Sequence, residues 1–324
     1  MVDASQSEIE FFPIRVLSER TGVGASTLRA WERRYGLLKP RRTPKGHRLY
    51  TQEDVRLVEA VLELLGDGHA ISDVARRVGR ERLSGATERH DIGPSLPDGR
   101  GGQWRVYLAD LLRAVEAFSP RRLDAIYNEA SSLYPLDLVS RNLIEPALEV
   151  LGERWNARTT GIAEEHFFSA WLRNKLGARL HHASARTRGP RLVVACVPGH
   201  RHEMGVLLFM LAALGRGFRV IYLGIDMPLE SLPEVVERCG ASGVVLAGGR
   251  EPDREATISA LGKLANRLSC PLFVGGSLSL DYERALNRDG VIPIGEQFAL
   301  ALHLVETRVP PDRPTGRPAS WKTD

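Results

Sequence analysis

The stretch IRVLSERTGVGASTLRAWERRYGLLKPRRTPKGHRLYTQEDV, residues 14–55, decides how the amino-terminal part of this chain folds. Just before it, Phe12-Pro13-Ile14 offers an apolar staple and a proline suited to a first helical turn. The helix this opens stops at Gly22, because a glycine past a helix end takes the left-handed conformation that terminates it. After a tight turn, Ser26 or Thr27 begins a second helix, TLRAWERRYG. Two short helices joined by a glycine-containing turn make a helix-turn-helix, whose second helix presents Thr27, Arg29, Arg33 and Arg34 to the major groove of a DNA duplex. Pro44-Lys45-Gly46 then turns the chain between two short extended pieces, which form a wing.

Charge is concentrated in the same place. The 324-residue chain carries a net charge of only +4, yet between Arg15 and Arg48 stand Arg20, Arg29, Arg33, Arg34, Lys39, Arg41, Arg42 and Lys45, opposed by Glu19 and Glu32 alone. A local excess of this kind neutralises phosphates and releases their counterions, the main sequence-independent source of DNA affinity. Residues 14–55 resemble the winged helix of the MerR family nearly position for position. The resemblance implies that Arg41, Arg42, His47, Arg48 and Tyr50 approach phosphates and the minor groove while the second helix reads bases; Leu28 and Trp31 are expected to pack in the core.

Working outward, residues 12–80 form this DNA-binding head, and residues 81–102 (ERLSGATERHDIGPSLPDGRGG) are rich in Gly, Ser, Pro and charge and read as a flexible linker between separately moving bodies. From 103 to 186 apolar residues recur at helical spacing, with breaks near Ser119-Pro120, Tyr134-Pro135 and Asn156 to Thr160, giving a four-helix bundle. From 190 to 308 the apolar runs RLVVAC, FRVIYL, GVVLAGG, PLFVGG and the weaker VIPIG alternate with helical stretches. That alternation argues a doubly wound, Rossmann-like α/β domain with five parallel strands and a ligand at their carboxyl ends. The tail, 309–324, reads as disordered. With 43% hydrophobic residues the chain can build two or three cores. Its first residues lack a signal-peptide layout, and no apolar run nears the ~20 residues that span a bilayer, so a cytoplasmic, nucleoid-associated protein is expected. Cys196, Cys239 and Cys270, an odd number without metal-type spacing, are expected as reduced thiols.

The strongest chemical signal is GHRHEMG, Gly199 to Gly205, between the apolar strand RLVVAC and the helical run GVLLFMLAALG. A histidine on such a loop faces a ligand site, and Gly205 admits a bulky group close to the backbone. The loop resembles the cobalamin-binding pattern D-x-H-x-x-G, which implies His202 as the lower axial cobalt ligand. His200 stands where that pattern has the acid that orients the ligating imidazole, a partner of the kind worth about ten- to a hundredfold in affinity. Ala247-Gly248-Gly249 and Gly275-Gly276 fall where the corresponding proteins line the slot for the nucleotide tail, with Ala247 replacing their serine.

In the bundle, Trp155 is followed after nine residues by Glu165-His166, and Ile162, Glu165 and His166 share one helical face behind a Thr160 cap. The spacing W-x9-E-H resembles the light-sensing CarH/LitR cobalamin domains. That resemblance implies adenosylcobalamin as cofactor, an adenosyl group held under Trp155, photolysis of the cobalt–carbon bond, and His166 as upper cobalt ligand afterwards. It also implies a tetramer that holds promoter DNA as a repressor in the dark and falls apart in the light, a switch without catalytic turnover. Two other readings stay open: a light-independent regulator whose sensor takes another tetrapyrrole or none, and a corrinoid carrier or enzyme subunit.

Overall fold

A computed structural model describes residues 10–83, 101–155, 159–184, 187–200, 203–249 and 253–310. Most of the expected linker (84–100), most of the tail (311–324) and His202 lie outside these residues. The chain divides into two compact units, Met1–Phe168 and Ser169–Asp324.

In the first unit, β1 (Phe12–Pro13), α1 (Ile14–Thr21), α2 (Ala25–Tyr35), β2 (Arg41–Arg42), β3 (Arg48–Tyr50), α3 (Gln52–Gly66) and α4 (Ile71–Leu83) build the winged head. Gly22, at φ 71°, ends α1 by donating its N–H to the Ser18 carbonyl, as the sequence requires. Pro13 does not enter the helix. It precedes α1 in an extended conformation because Phe12 pairs with Tyr50 in a small antiparallel sheet of order β1-β3-β2. The second helix begins at Ala25, one residue earlier than the sequence suggests, and Thr51 with Asp54 closes a capping box over α3. Leu17, Leu28, Trp31 and Tyr50 are fully buried between these pieces.

The four bundle helices follow: α5 (Gly102–Glu116), α6 (Pro120–Leu133), a third made of α7 (Leu136–Val139), a π turn (Ser140–Ile144) and α8 (Glu145–Arg154), and α9 (Gly161–Ser184). Pro120 opens α6 and Pro135 precedes α7, where a proline loses no helical hydrogen bond. The head and the bundle, expected as separate bodies, lie within one unit and share buried contacts. Trp31 in α2 donates its indole N–H to the Leu133 carbonyl at 2.7 Å, the Ile71 amide donates to the Tyr134 hydroxyl at 3.4 Å, and Gly101 N–H donates to Gly68 O at 2.9 Å. The linker composition could not reveal this, since of the residues that make the joint only Gly101 belongs to the linker.

The second unit takes in the later part of α9 and adds β4 (Arg191–Cys196), α10 (Met204–Gly215), β5 (Arg219–Tyr222), a 3₁₀ turn (Leu229–Ser231), α11 (Leu232–Cys239), β6 (Gly243–Ala247), α12 (Arg254–Ala265), β7 (Leu272–Gly275), α13 (Ser277–Asp281), α14 (Glu283–Arg288), β8 (Ile292–Gly295) and α15 (Phe298–Arg308). The five strands pair in parallel in the order β5-β4-β6-β7-β8. Val193, Val194, Ala195 and Cys196 are buried in succession, as a strand covered on both faces demands. In this strand order the connection reverses direction between β4 and β6, and such a switch point is where open α/β sheets take their ligands. The GHRHEMG loop leaves β4 at that place.

Candidate DNA interface and ligand site

On the head, Arg29, Arg33, Arg34, Arg41, Arg42 and His47 are exposed. Two residues expected to reach DNA are instead buried. Thr27 is 4% exposed and Tyr50 0%, because the same turn that lifts Arg29 outward packs Thr27 and Leu28 inward, and Tyr50 pairs with Phe12 in the sheet. Burial, then the Glu32 carboxylate, pushes the Tyr50 phenol up to about 12. Glu32 is a residue whose role the sequence did not disclose. Its two oxygens take Arg48 at 2.7 Å and Arg42 at 3.3 Å, pinning the wing to the second helix. The side-chain hydrogen bond to Glu32 raises the Arg48 pKa above its ordinary value. Arg41 lies over the Phe11 ring at 5.4 Å, a cation–π contact that steadies the base of the wing.

In the bundle, the structure brings Trp155, Glu165 and His166 together. The Trp155 and His166 rings meet edge-on with centroids 5.8 Å apart, and Glu165 Oε2 lies 3.1 Å from His166 Nδ1. That nitrogen is also 2.9 Å from the Ile162 carbonyl, so a proton on Nδ1 donates there and leaves the lone pair on Nε2. Trp155 is 39% exposed and Ile162 47%, an apolar surface beside an imidazole. Four residues not anticipated, Gly161, Arg154, Glu116 and Glu164, fasten this arrangement. A Cβ at Gly161 would stand 2.1 Å from the Arg154 carbonyl oxygen, so only glycine lets α9 start against the end of α8. Arg154 reaches Glu116 at 2.9 Å and the buried Glu164 at 3.7 Å, while the Thr160 hydroxyl donates to Glu164 at 2.7 Å.

At the carboxyl edge of the sheet, the Val197 amide donates to Ala247 O, and Gly199, at φ 79°, donates its N–H to Asp226 Oδ1 at 2.7 Å. Asp226 thereby ties the loop after β5 to the loop after β4. His200 packs beside Gly249, where a Cβ would come within 3.4 Å of the His200 ring and 3.1 Å of the Ser277 hydroxyl. Gly276 is required by the backbone: φ is 85°, and a Cβ would stand 2.2 Å from Gly248 O. Gly205 differs, for nothing lies within 4 Å of where its Cβ would be. The first turn of α10 thus presents bare backbone to open space, room that a flat macrocycle can use, and an imidazole of this loop is a suitable donor for cobalt. The loop's far end is anchored by Glu203, which is 8% exposed, pairs with Arg173 and accepts the Tyr222 hydroxyl at 2.6 Å. Burial and then that carboxylate push the Tyr222 phenol far up. A groove of about 810 Å³, lined by Glu255, Lys263 and Arg288 among others, contains none of the expected site residues.

Comparison with known proteins bears on both ends. A model of the MerR HTH family regulatory protein matches residues 12–80, and one of the B12 binding domain matches residues 107–180. The HTH-type transcriptional repressor CarH of Myxococcus xanthus is 32% identical over 282 residues, covering 86% of this chain and 92% of that protein. The chain belongs to the CarH family of MerR-type transcription regulators. The HTH-type transcriptional repressor CarA of the same organism is 27% identical, covering 88% of this chain and 92% of that protein. Among solved structures, the monomethylamine corrinoid protein of Methanosarcina barkeri aligns with a TM-score of 0.48 and 17% identity, covering 62% of this chain and 97% of that one. As a CarH-family member the chain is a DNA-binding regulator with a cobalamin-binding module. Among the described residues, no helix is long and apolar enough to cross a membrane.

Proposed function

We propose that this chain is a light-responsive repressor that holds promoter DNA in the dark as an adenosylcobalamin-loaded homo-oligomer, a tetramer, and releases it on illumination. The observation that carries the reading is the Trp155–His166 pair, an exposed indole edge-on to an imidazole whose Nδ1 is engaged by Ile162 and Glu165. When bound, adenosylcobalamin supplies a cobalt–carbon bond that visible light breaks. The chain's own residues do the rest. Trp155, Ile162 and Glu165 would cover the adenosyl group and exclude water from it. His202 would hold the cobalt in the dark, and His166, whose Nδ1 faces Ile162 O and Glu165, would be the group able to hold it after illumination. Gly199, His200, Gly205, Ala247, Gly248, Gly249, Gly275 and Gly276 are assigned to the corrin ring and its nucleotide tail. Arg29, Arg33 and Arg34 read or approach the DNA, with Arg41, Arg42, His47 and Arg48 on the wing.

In functional terms the chain has a head at 12–80, a linker at 81–102, a capping bundle at 103–186 and a cobalamin domain at 190–308. Two heads per operator multiply a weak single-head affinity through effective concentration, so assembly alone can switch occupancy. The test is absorption spectroscopy and DNA binding with adenosylcobalamin added, in the dark and after green light, for wild type and His202→Ala. The reading expects a bound spectrum that light changes irreversibly, DNA release in step with it, and strongly weakened binding in the variant. DNA affinity indifferent to both cofactor and light would overturn it. That outcome would favour the light-independent regulator, to which His200 in place of an acid and Ala247 in place of a serine lend support.

A further inference from the structure

The head and the bundle meet through helix ends. Tyr134 leaves α6 in an extended conformation and Pro135 follows, so the last carbonyls of α6 have no helical partner. One of them, Leu133 O, takes the indole N–H of Trp31, a side chain of the helix assigned to base reading and itself fully buried. The orphan amide at the start of α4, Ile71, donates in return to the Tyr134 hydroxyl. Trp104 and Tyr107 pack around Tyr134, with ring centroids 4.5 Å and 6.5 Å from it. Each body thus caps a helix of the other.

We infer that the α6 end of the bundle is the docking surface for the DNA-binding head, and that this joint carries the ligand state of the bundle directly to the recognition helix. The inference rests on the reading above, that the bundle senses a corrinoid. From Leu136 to Arg154 the chain runs as α7, π turn and α8 without a break, a rod of roughly 28 Å at 1.5 Å per residue. One end adjoins Tyr134 and the other ends at Trp155. Its π turn is an irregularity of the kind that recurs at functional sites. Ligand-driven helix shifts at interfaces are typically about 1–2 Å. The Trp31–Leu133 bond, at 2.7 Å, is lost once its atoms separate beyond about 3.2 Å, so a shift of that size opens it. Arg29, Arg33 and Arg34 stay exposed with the joint closed, so the joint aims the head and does not mask it.

The experiment uses the full chain, wild type and the double variant Trp31→Phe/Tyr134→Phe, with adenosylcobalamin in the dark, hydrogen–deuterium exchange as readout, and binding and assembly checked by absorbance and gel filtration. In wild type, adenosylcobalamin should change deuterium uptake at least threefold in peptides covering residues 25–35 and 71–75. In the double variant, which should bind adenosylcobalamin within twofold of wild type and assemble alike, that change should vanish. The same cofactor-dependent change in the double variant overturns the inference, and so does a wild type that binds adenosylcobalamin without any change in the head. A wild type that does not take up adenosylcobalamin overturns the proposed function itself. Tyr35→Ala, on the half-exposed rim of the same helix, gives the same test should the double variant fail to fold.

Discussion

Gly205→Ala separates a glycine kept for folding from one kept for a ligand. The position is exposed, lies in the first turn of α10, and has nothing within 4 Å of the added methyl. Alanine is favoured over glycine in a helix by about 0.5–1 kcal/mol, partly because the unfolded chain has fewer conformations to lose. The ligand-free variant should therefore be more stable than wild type by about that amount, a rise of roughly 1–4 °C for a unit of this size. The bound state should suffer. A methyl forced against a rigid macrocycle costs about 1–3 kcal/mol, as overpacking does elsewhere, or roughly a 5- to 150-fold loss of cobalamin affinity. Gly276→Ala should do the reverse. Its φ of 85° with ψ of 179° belongs to a region only glycine occupies easily, at about 1–3 kcal/mol for other residues, and its Cβ would overlap Gly248 O. That variant should melt lower before any ligand is added. Thermal unfolding of both ligand-free variants, followed by absorbance titration with cobalamin, makes the comparison. A Gly205→Ala protein that is destabilised, or that binds cobalamin as wild type does, refutes the assignment of Gly205 to the ligand.

Because Glu32 already holds Arg42 and Arg48, the phosphates one head neutralises should number nearer six than eight, and raising salt from 50 to 200 mM should weaken single-head binding by roughly 2,000-fold, where eight contacts would give roughly 20,000-fold; a salt titration of DNA binding reads the slope. His166→Ala should assemble in the dark and respond to light as wild type does but not give the stable illuminated spectrum, whereas Trp155→Ala should disturb the dark assembly, both read by gel filtration with in-line absorbance. Burial raises the Tyr50 and Tyr134 phenols to about 12, so both favour the folded state below pH 10, and stability should fall as pH climbs from about 10 to 12. Tyr134→Phe should flatten that decline, as alkaline unfolding monitored by circular dichroism would show.

The periodic parts of this fold were legible because their signals are local. Gly22 and Gly36 end helices at positive φ where a reader of the sequence would stop them, and RLVVAC is β4 to the residue. The placing of GHRHEMG at the carboxyl end of a parallel strand followed from the alternation of strands and helices, while its position at the switch point came only with the strand order. What stayed hidden was every contact between polar groups distant in sequence. Glu32 read as a stray acid among arginines, because nothing in its neighbours says that two wing arginines fold back on it. Gly161 carries no signal in the sequence, since its need for a missing Cβ arises only when α8 ends against it. Thr27 occupied a reader's position on the helix, but a helical pattern of short period cannot tell which edge of the apolar stripe goes under.

The joint between head and bundle shows why such contacts decide position more than stability. Burying the rings of Trp31 and Tyr134, at about 150–250 Å² each and about 25 cal/mol per Å², stabilises the folded unit by roughly 4–6 kcal/mol per ring, and docking gains the part of each ring that its own body leaves uncovered. A single hydrogen bond adds about 1 kcal/mol net, or about 1–3 kcal/mol if breaking it strands a buried partner. Trp31→Phe keeps most of the ring burial and removes the bond, so the head should remain docked while its angle to α6 is no longer fixed by the Leu133 carbonyl. Area holds the two bodies together, and direction comes from the N–H. A signal that must turn a recognition helix without releasing it has to act on the directional contact, because a shift of about 1 Å breaks a hydrogen bond but barely alters buried area.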